Sequence, residues 1–197
     1  MKIAVDLDDT LSVVDRVTLA SQYIARKNLP YKVVNANSHA LVDVFDWEID
    51  AVHEFVREGG ITVFTDAEAR KGARETLTAL REAGHEVIVL TARQKSWFVN
   101  PEKVSRDWLE KRRIPYDEIV AGETEKGRYC MEHGISVLID DNADTCLKAQ
   151  ELGVRAVLLI GANNVDRAGE IRYGGSNWRQ LAAVLQAVLQ INTFTNK

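Results

Sequence analysis

Five short apolar runs punctuate the chain: Lys2–Leu7, Glu86–Leu90, Glu118–Ala121, Ser136–Asp140 and Arg155–Ile160. Each is nearly continuous in apolar residues rather than alternating, the pattern of a strand covered on both faces. Between them the spacing turns helical. Ala69, Ala73, Leu77 and Leu80 fall on one face, and Gly84 stops that helix. Asn100-Pro101 supplies an N-cap and a first-turn proline for a helix carrying Val104 and Trp108. A helix from about Glu123 to His133 ends at Gly134, and another from about Ala143 to Leu152 ends at Gly153. Trp178, Leu181, Leu185 and Val188 form the stripe of a last helix. Strands alternating with helices predict an α/β fold with a doubly wound parallel sheet.

The segment from Ser12 to Glu68 breaks this rhythm. It carries two helical patterns, Val13–Lys27 and Trp47–Glu58, the second closed by Gly59-Gly60. We therefore divide the chain into a core, residues 1–11 and 69–197, and a small helical cap, residues 12–68. A long insertion directly after the first strand of such a sheet lies over the carboxyl ends of the strands, where a lid belongs. The plainer alternative is an extension that only packs.

Composition narrows the functional classes. The chain has 197 residues, 46% hydrophobic and 27% charged, ordinary for a globular protein, with a formal net charge of −4. No basic block is present, which argues against polymeric nucleic acid as a partner; a small anionic ligand held by a metal and a few cations remains compatible. Cys130 and Cys146 form no C-x-x-C pair and read as reduced helix residues of a cytoplasmic protein. His39, His53, His85 and His133 are scattered, so no structural zinc site is expected. The chain opens on a strand, so no signal peptide is expected, and no apolar run reaches the length of a membrane span. The tail Ile191–Lys197 carries no evident chemistry. A homodimer is compatible with the sequence, which does not decide it.

The chemistry is concentrated where strands end. Ile3-Ala4-Val5 leads straight into Asp6, Asp8 and Asp9, with Thr10 close behind. Clustered acids at the end of a buried strand are costly unless neutralised, and a hard divalent cation such as the magnesium ion, Mg²⁺, takes oxygen ligands. If the strand continues, Asp6 and Asp8 share a face; if it curls after Leu7, the cluster still sits at the strand's carboxyl end, where ligands bind in open α/β sheets. An Asp there can act as a nucleophile and form an aspartyl-phosphate, and Asp8 can protonate a leaving oxygen. A plain acidic turn is the alternative.

Thr91-Ala92-Arg93 follows the second run and offers a hydroxyl, backbone N–H groups and a guanidinium fork for phosphate oxygens; a polar strand exit would look the same. Asp140-Asp141-Asn142 ends the fourth run. Asp140 can ligate the metal, with Asp141 or Asp144 holding its water shell, or Asp141 and Asp144 can simply serve the helix N-terminus. Lys126 can neutralise Asp6 and a transferring phosphoryl group, or be an ordinary solvated lysine.

Taken in order, DLDDT at 6–10, LTAR at 90–93, Lys126 and IDDN at 139–142 resemble the four motifs of the haloacid dehalogenase (HAD) superfamily of phosphatases. The stretches GHEVIVLTAR, NPEKVSRDWLEKRRIPYDEIV and EKGRYCMEHGISVLIDDN are similar to the bacterial branch of the 5'(3')-deoxyribonucleotidase-like group. The resemblance implies a HAD-like Rossmannoid core with a helical cap. It makes Asp6 the nucleophile and Asp8 the general acid/base that also gives a backbone carbonyl to Mg²⁺. Thr91, Ala92, Arg93 and Lys126 become the phosphoryl-binding set, and Asp6, Asp8 and Asp140 the metal set. The sequence departs from the group where Asp9 replaces a glycine common in nucleotidases and where Thr91-Ala92-Arg93 replaces a Thr-Ser form.

The expectation is a Mg²⁺-dependent phosphomonoester hydrolase working through an aspartyl-phosphate on a small metabolite such as a (deoxy)nucleoside monophosphate. The alternatives are a HAD phosphatase for a sugar phosphate and a catalytically quiet phosphate-binding protein. A receiver-type signalling domain fits less well, since the third run ends in Val120-Ala121-Gly122 with no acid at its tip. Phe45, Trp47 and Phe64 in the insertion can stack a nucleobase, but packing among themselves is the favoured reading.

Overall fold

The computed structural model describes residues 1–38 and 40–190; His39 and the tail 191–197 lie outside the described residues. β1 (Lys2–Val5) is followed by β2 (Ser12–Val13), helices α1 (Arg16–Lys27), α2 (Ile49–Phe55) and α3 (Thr62–Thr65), and β3 (Glu68–Ala69). Helices and strands then alternate: α4 (Ala73–Glu82), β4 (Glu86–Thr91), α5 (Pro101–Lys111), β5 (Glu118–Ala121), α6 (Lys126–Glu132), β6 (Ile135–Asp140), α7 (Ala143–Glu151), β7 (Arg155–Leu159), β8 (Tyr173–Gly175) and α8 (Trp178–Gln190).

Six strands form one parallel sheet in the order β5-β4-β1-β6-β7-β8. The chain builds outward from β1 on one side, then returns to build outward on the other. The crossovers reverse between β1 and β6, and a crevice opens there beyond the carboxyl ends of the strands.

Strand alternation feeds two cores. Ile3, Val5, Val87, Val89, Val137 and Ile139 face Leu77, Trp108, Leu181 and Leu185 of α4, α5 and α8. Ala4, Ile88, Leu90 and Leu138 face Cys130 and Cys146 of α6 and α7. Both cysteines are buried and free. At Gly127 a Cβ would lie 3.0 Å from the backbone of Ala149. Glycine thus lets α6 approach α7 closely and carries its neighbour Lys126 into the crevice.

The insertion packs around its own cluster, which includes Val14, Tyr23, Ile24, Val44, Phe45, Trp47, Val52 and Phe55. Its two ends are tied together by antiparallel pairing of Ser12 with Ala69 and of Val13 with Glu68. Phe45 and Trp47 are buried with ring centroids 5.0 Å apart, and the Trp47 indole donates to the Leu41 carbonyl at 3.2 Å. These two rings belong to the core of the insertion, as favoured from the sequence.

Several boundaries differ from those read in the sequence. β1 stops at Val5: the Asp6 amide still donates to the Ile139 carbonyl, but the Leu7 carbonyl accepts from Leu11 and Ser12, which curls the chain. Asp6 and Asp8 therefore lie in a loop and not on a strand face. Val13 belongs to β2, and α1 begins after Asp15, whose side chain caps the Thr18 amide. The Trp47–Glu58 pattern yields helix only over Ile49–Phe55, followed by a widened turn, Val56–Gly60, in which Gly59 takes φ 109°. Glu123 lies in the loop after β5, and α6 begins at Lys126. β8 was not foreseen, because Tyr-Gly-Gly carries almost no apolar signal. Among the described residues no helix is long and apolar enough to cross a membrane.

Candidate active site

The crevice between β1 and β6 collects the acids. Asp6 leaves the tip of β1, and Asp140 and Asp141 lie at the tip of β6, all three buried. One carboxylate oxygen from each lies within 4.8 Å of the others. Lys126, at the first position of α6, reaches between them: its Nζ donates to Asp6 Oδ1 at 2.5 Å and to Asp140 Oδ2 at 2.8 Å. Two further oxygens of the cluster are also held. Asp140 Oδ1 accepts from the Asn142 amide at 2.8 Å, and Asp141 Oδ1 accepts from the Thr10 hydroxyl at 2.8 Å. Asn164, also buried, donates to the Asp141 carbonyl and so pins the loop after β6.

The electrostatics follow from this packing. Burial is the main cause that lifts the Asp6 carboxyl well above its usual range; Asp140 and Asp141 add to it and Lys126 opposes it. Asp140 is raised for the same reasons, with Asp141 the like charge. Burial works against the charge of Lys126, yet Asp140 and Asp6 hold its ammonium above the ordinary lysine range. With all three carboxylates ionised against one ammonium, the buried cluster would carry two negative charges. Such a cluster of oxygen donors, short by two positive charges, fits a hard divalent cation. Asp144, the alternative acid, is exposed and paired with Arg167 at 2.7 Å, so Asp141 is the acid that joins the cluster.

Around the cluster lies a cavity of about 440 Å³, within the size range of small-molecule sites. Asp6, Asp8, Thr91, Ala92, Arg93, Lys126 and Asp140, all singled out in the sequence, line it together. Thr91 is buried at the end of β4, and Ala92 is exposed beside it. Arg93 meets Asp8: Nη2 donates to Asp8 Oδ1 at 2.6 Å and Nε donates to Asp8 Oδ2 at 2.8 Å. From the sequence Arg93 was a phosphate donor; here this fork grips a carboxylate of the same site.

Some lining residues were missed. Trp97 and Phe98 come from the loop before α5, and Leu41 from the insertion, which also supplies Phe64, already singled out in the sequence. Phe64 and Phe98 meet edge to face at 5.8 Å. Of the insertion's three singled-out aromatics, Phe64 alone faces this cavity. Arg16, at the start of α1, pairs with Asp9 at 2.5 Å and lies 5.8 Å from the Phe64 ring. No local pattern marks Arg16. Asp9 has φ 63°, in the left-handed region that favours glycine. Burial lifts its carboxyl, an effect that Arg16 partly opposes.

Comparison with known proteins agrees with this geometry. No curated protein matches the chain. Solved structures similar to it include a predicted phosphatase from Clostridium acetobutylicum, with TM-score 0.64 and 17% identity over 94% of this chain and 98% of that one. A predicted phosphoglycolate phosphatase from Haemophilus somnus 129pt has TM-score 0.64 and 16% identity, covering 93% of this chain and 97% of that one. A Had-superfamily hydrolase from Ehrlichia chaffeensis has TM-score 0.56 and 14% identity, covering 97% of each chain. At these identities the likeness establishes the fold. The family model described as "5' nucleotidase, deoxy (Pyrimidine), cytosolic type C protein" matches residues 1–190. With that match spanning every element from β1 to α8, the chain belongs to this 5' nucleotidase family and is a phosphatase of the HAD superfamily.

Proposed function

We propose that the protein is a Mg²⁺-dependent phosphomonoester hydrolase that works through an aspartyl-phosphate on Asp6, with a (deoxy)nucleoside monophosphate as its substrate. The observation that carries this reading is the buried cluster itself: a carboxylate at the switch point of the sheet, held by Lys126 and flanked by Asp140 and Asp141.

The carboxylates of Asp6, Asp140 and Asp141 and the Asp8 carbonyl would hold the metal. When bound, the cation supplies positive charge that screens the acids and the transferring phosphoryl group. Lys126 adds a fixed positive charge beside Asp6. The Thr91 hydroxyl and the backbone N–H groups near Ala92 and Arg93 orient the phosphoryl oxygens. Asp6 attacks phosphorus as the ester P–O bond breaks, and Asp8 gives its proton to the leaving alkoxide. Water then attacks the aspartyl-phosphate, Asp8 takes a water proton, and Asp6 is released with inorganic phosphate.

The nucleotide part of the proposal rests on the family and on the cavity. Phe64, Trp97 and Phe98 form an aromatic wall suited to a planar ring. The insertion, residues 12–68, acts as the cap and supplies Phe64 and Leu41 to that wall. A small substrate, an acidic chain and two buried free thiols are consistent with a cytoplasmic enzyme acting on metabolites.

The test is a panel of 5'- and 3'-deoxynucleotides, ribonucleotides, sugar phosphates and p-nitrophenyl phosphate, with Mg²⁺ and with chelator. Nucleotide preference and loss of turnover in Asp6→Asn, with its melting transition retained, are expected. Wild-type-like turnover in Asp6→Asn would refute the nucleophile, and preference for a sugar phosphate would replace the substrate assignment.

A further inference from the structure

Arg93 is held more completely than a free phosphate donor needs. Its side chain is 2% exposed and grips both oxygens of Asp8 in a parallel, two-point arrangement. Nη2 also reaches the Phe64 carbonyl at 3.3 Å, and Nη1 lies 3.5 Å from the Ser105 hydroxyl, itself bonded to the Pro101 carbonyl at 2.7 Å. The guanidinium carbon lies 5.3 Å from the Phe98 ring centroid and 5.9 Å from that of Phe64. Besides Asp8, three separate segments thus hold this one planar group: the insertion, the loop before α5, and α5 itself.

Asp8 is the opposite case. It lies in the curled loop beyond β1 with its side chain 19% exposed. Its other side-chain contact is the Ser12 hydroxyl, 3.5 Å from Oδ1 and long for a hydrogen bond. Arg93 is therefore the group that decides where this carboxylate points.

We propose that Arg93 is a positioning residue for Asp8, the arginine fork orienting the carboxyl group that protonates the leaving alcohol, and that the insertion takes part through the Phe64 carbonyl and ring. The inference rests on the proposed role of Asp8. In the step concerned, the Asp6–phosphorus bond forms, the ester P–O bond breaks, and the Asp8 proton goes to the departing oxygen. One Asp8 oxygen must turn from the fork to the ester for this transfer. The other stays on Arg93, and the carboxyl group pivots about it. The rigid guanidinium suits this use: its two parallel donors define a plane, whereas a lysine offers one mobile point charge.

Leaving-group dependence tests the idea. p-Nitrophenolate departs without a proton, and a nucleoside 5'-hydroxyl does not. Single-turnover release of both leaving groups, with enzyme in excess and Mg²⁺ present, reads only phosphoryl transfer to Asp6. Arg93→Met should lower the rate on the nucleoside 5'-phosphate about 10- to 100-fold more than on p-nitrophenyl phosphate, since positioned proton transfer contributes roughly 10²- to 10⁴-fold. Arg93→Lys, which keeps the charge and loses the fork, should show a smaller split in the same direction. It also serves if the Met variant does not fold.

An equal loss on both esters would overturn the proposal and make Arg93 a phosphoryl-binding group. Unchanged rates on both would overturn it as well. Asp8→Asn, run alongside, should show the split in full. If Asp8→Asn shows none while wild type turns over both esters, the role of Asp8 itself fails, which separates that failure from one confined to Arg93.

Discussion

Without metal, the acidic cluster should weaken the fold, and neutralising one member should strengthen it. Asp141→Asn is the sharpest form of this perturbation. Asparagine keeps a carbonyl oxygen to accept the Thr10 hydroxyl, and Lys126 bonds to Asp6 and Asp140, so neither contact need be lost. What disappears is repulsion with two carboxylates whose oxygens lie within 4.8 Å. At an effective dielectric of about 20, like charges at that separation repel by roughly 3 kcal/mol per pair. Lys126 already offsets part of this, and protons shared among the acids offset more. We therefore expect a net gain of about 1–3 kcal/mol, which for a chain of this length raises Tm by about 3–10 °C.

The assay is thermal unfolding in chelator and in saturating Mg²⁺, for wild type and variant. Wild type should gain more from Mg²⁺ than the variant, since a ligand at about 100 times its Kd stabilises by about 2.7 kcal/mol. A metal-free Asp141→Asn protein that melts at or below wild type would refute the reasoning. The pH dependence has a definite sign. Asp6 and Asp140 carry carboxyls raised mainly by burial, so the folded chain holds their protons more tightly than the unfolded one does. The resulting penalty is fully present above their folded titration. It is relieved as pH falls through that range and gone below the unfolded value of about 3.9. In chelator, lowering the pH from 7 should thus favour this pair's contribution, and Mg²⁺ should flatten the trend.

Trp178→Phe should cost about 1–3 kcal/mol, because the indole N–H donates to the Thr10 carbonyl at 2.9 Å in a buried setting and the carbonyl would be left without that donor; an unchanged Tm would count against the link between α8 and the active-site loop. Asp117 behaves oppositely to the active-site acids. Its hydrogen bonds from Arg81 hold its carboxyl below the usual range, so its stabilisation is present above the unfolded value of about 3.9 and is lost as pH falls through the folded one. Asp117→Asn should lower stability at pH 7 by no more than about 1 kcal/mol, as expected for a partly exposed pair, and the gap to wild type should close in acid melts; a gap that widens would contradict the assignment.

The sheet was legible because its strands are nearly pure apolar runs buried on both faces, and because helix stops at Gly84, Gly134 and Gly153 are local features. β8 escaped notice for the converse reason: Tyr-Gly-Gly pairs with β7 through its backbone and brings little apolar surface of its own. Asp6, Thr91, Lys126 and Asp140 could be singled out because a polar residue at the tip of a buried strand, or in a recognisable ordered motif, is visible one residue at a time.

What the tertiary structure alone decided is which of these groups touch. Asp141 joins the cluster and Asp144 does not, because Asp141 lies in the buried loop at the tip of β6, whereas Asp144, in the first turn of α7, lies on the surface with Arg167. Arg93 turns to Asp8, 85 residues away in the chain, because β4 lies beside β1 and its fork meets the curled loop. Phe64, rather than Phe45 or Trp47, faces the cavity because the latter two fill the core of the insertion. Hydrophobic period is a local property of the chain, whereas partnership between side chains depends on the packing of distant segments, and no local pattern encodes it.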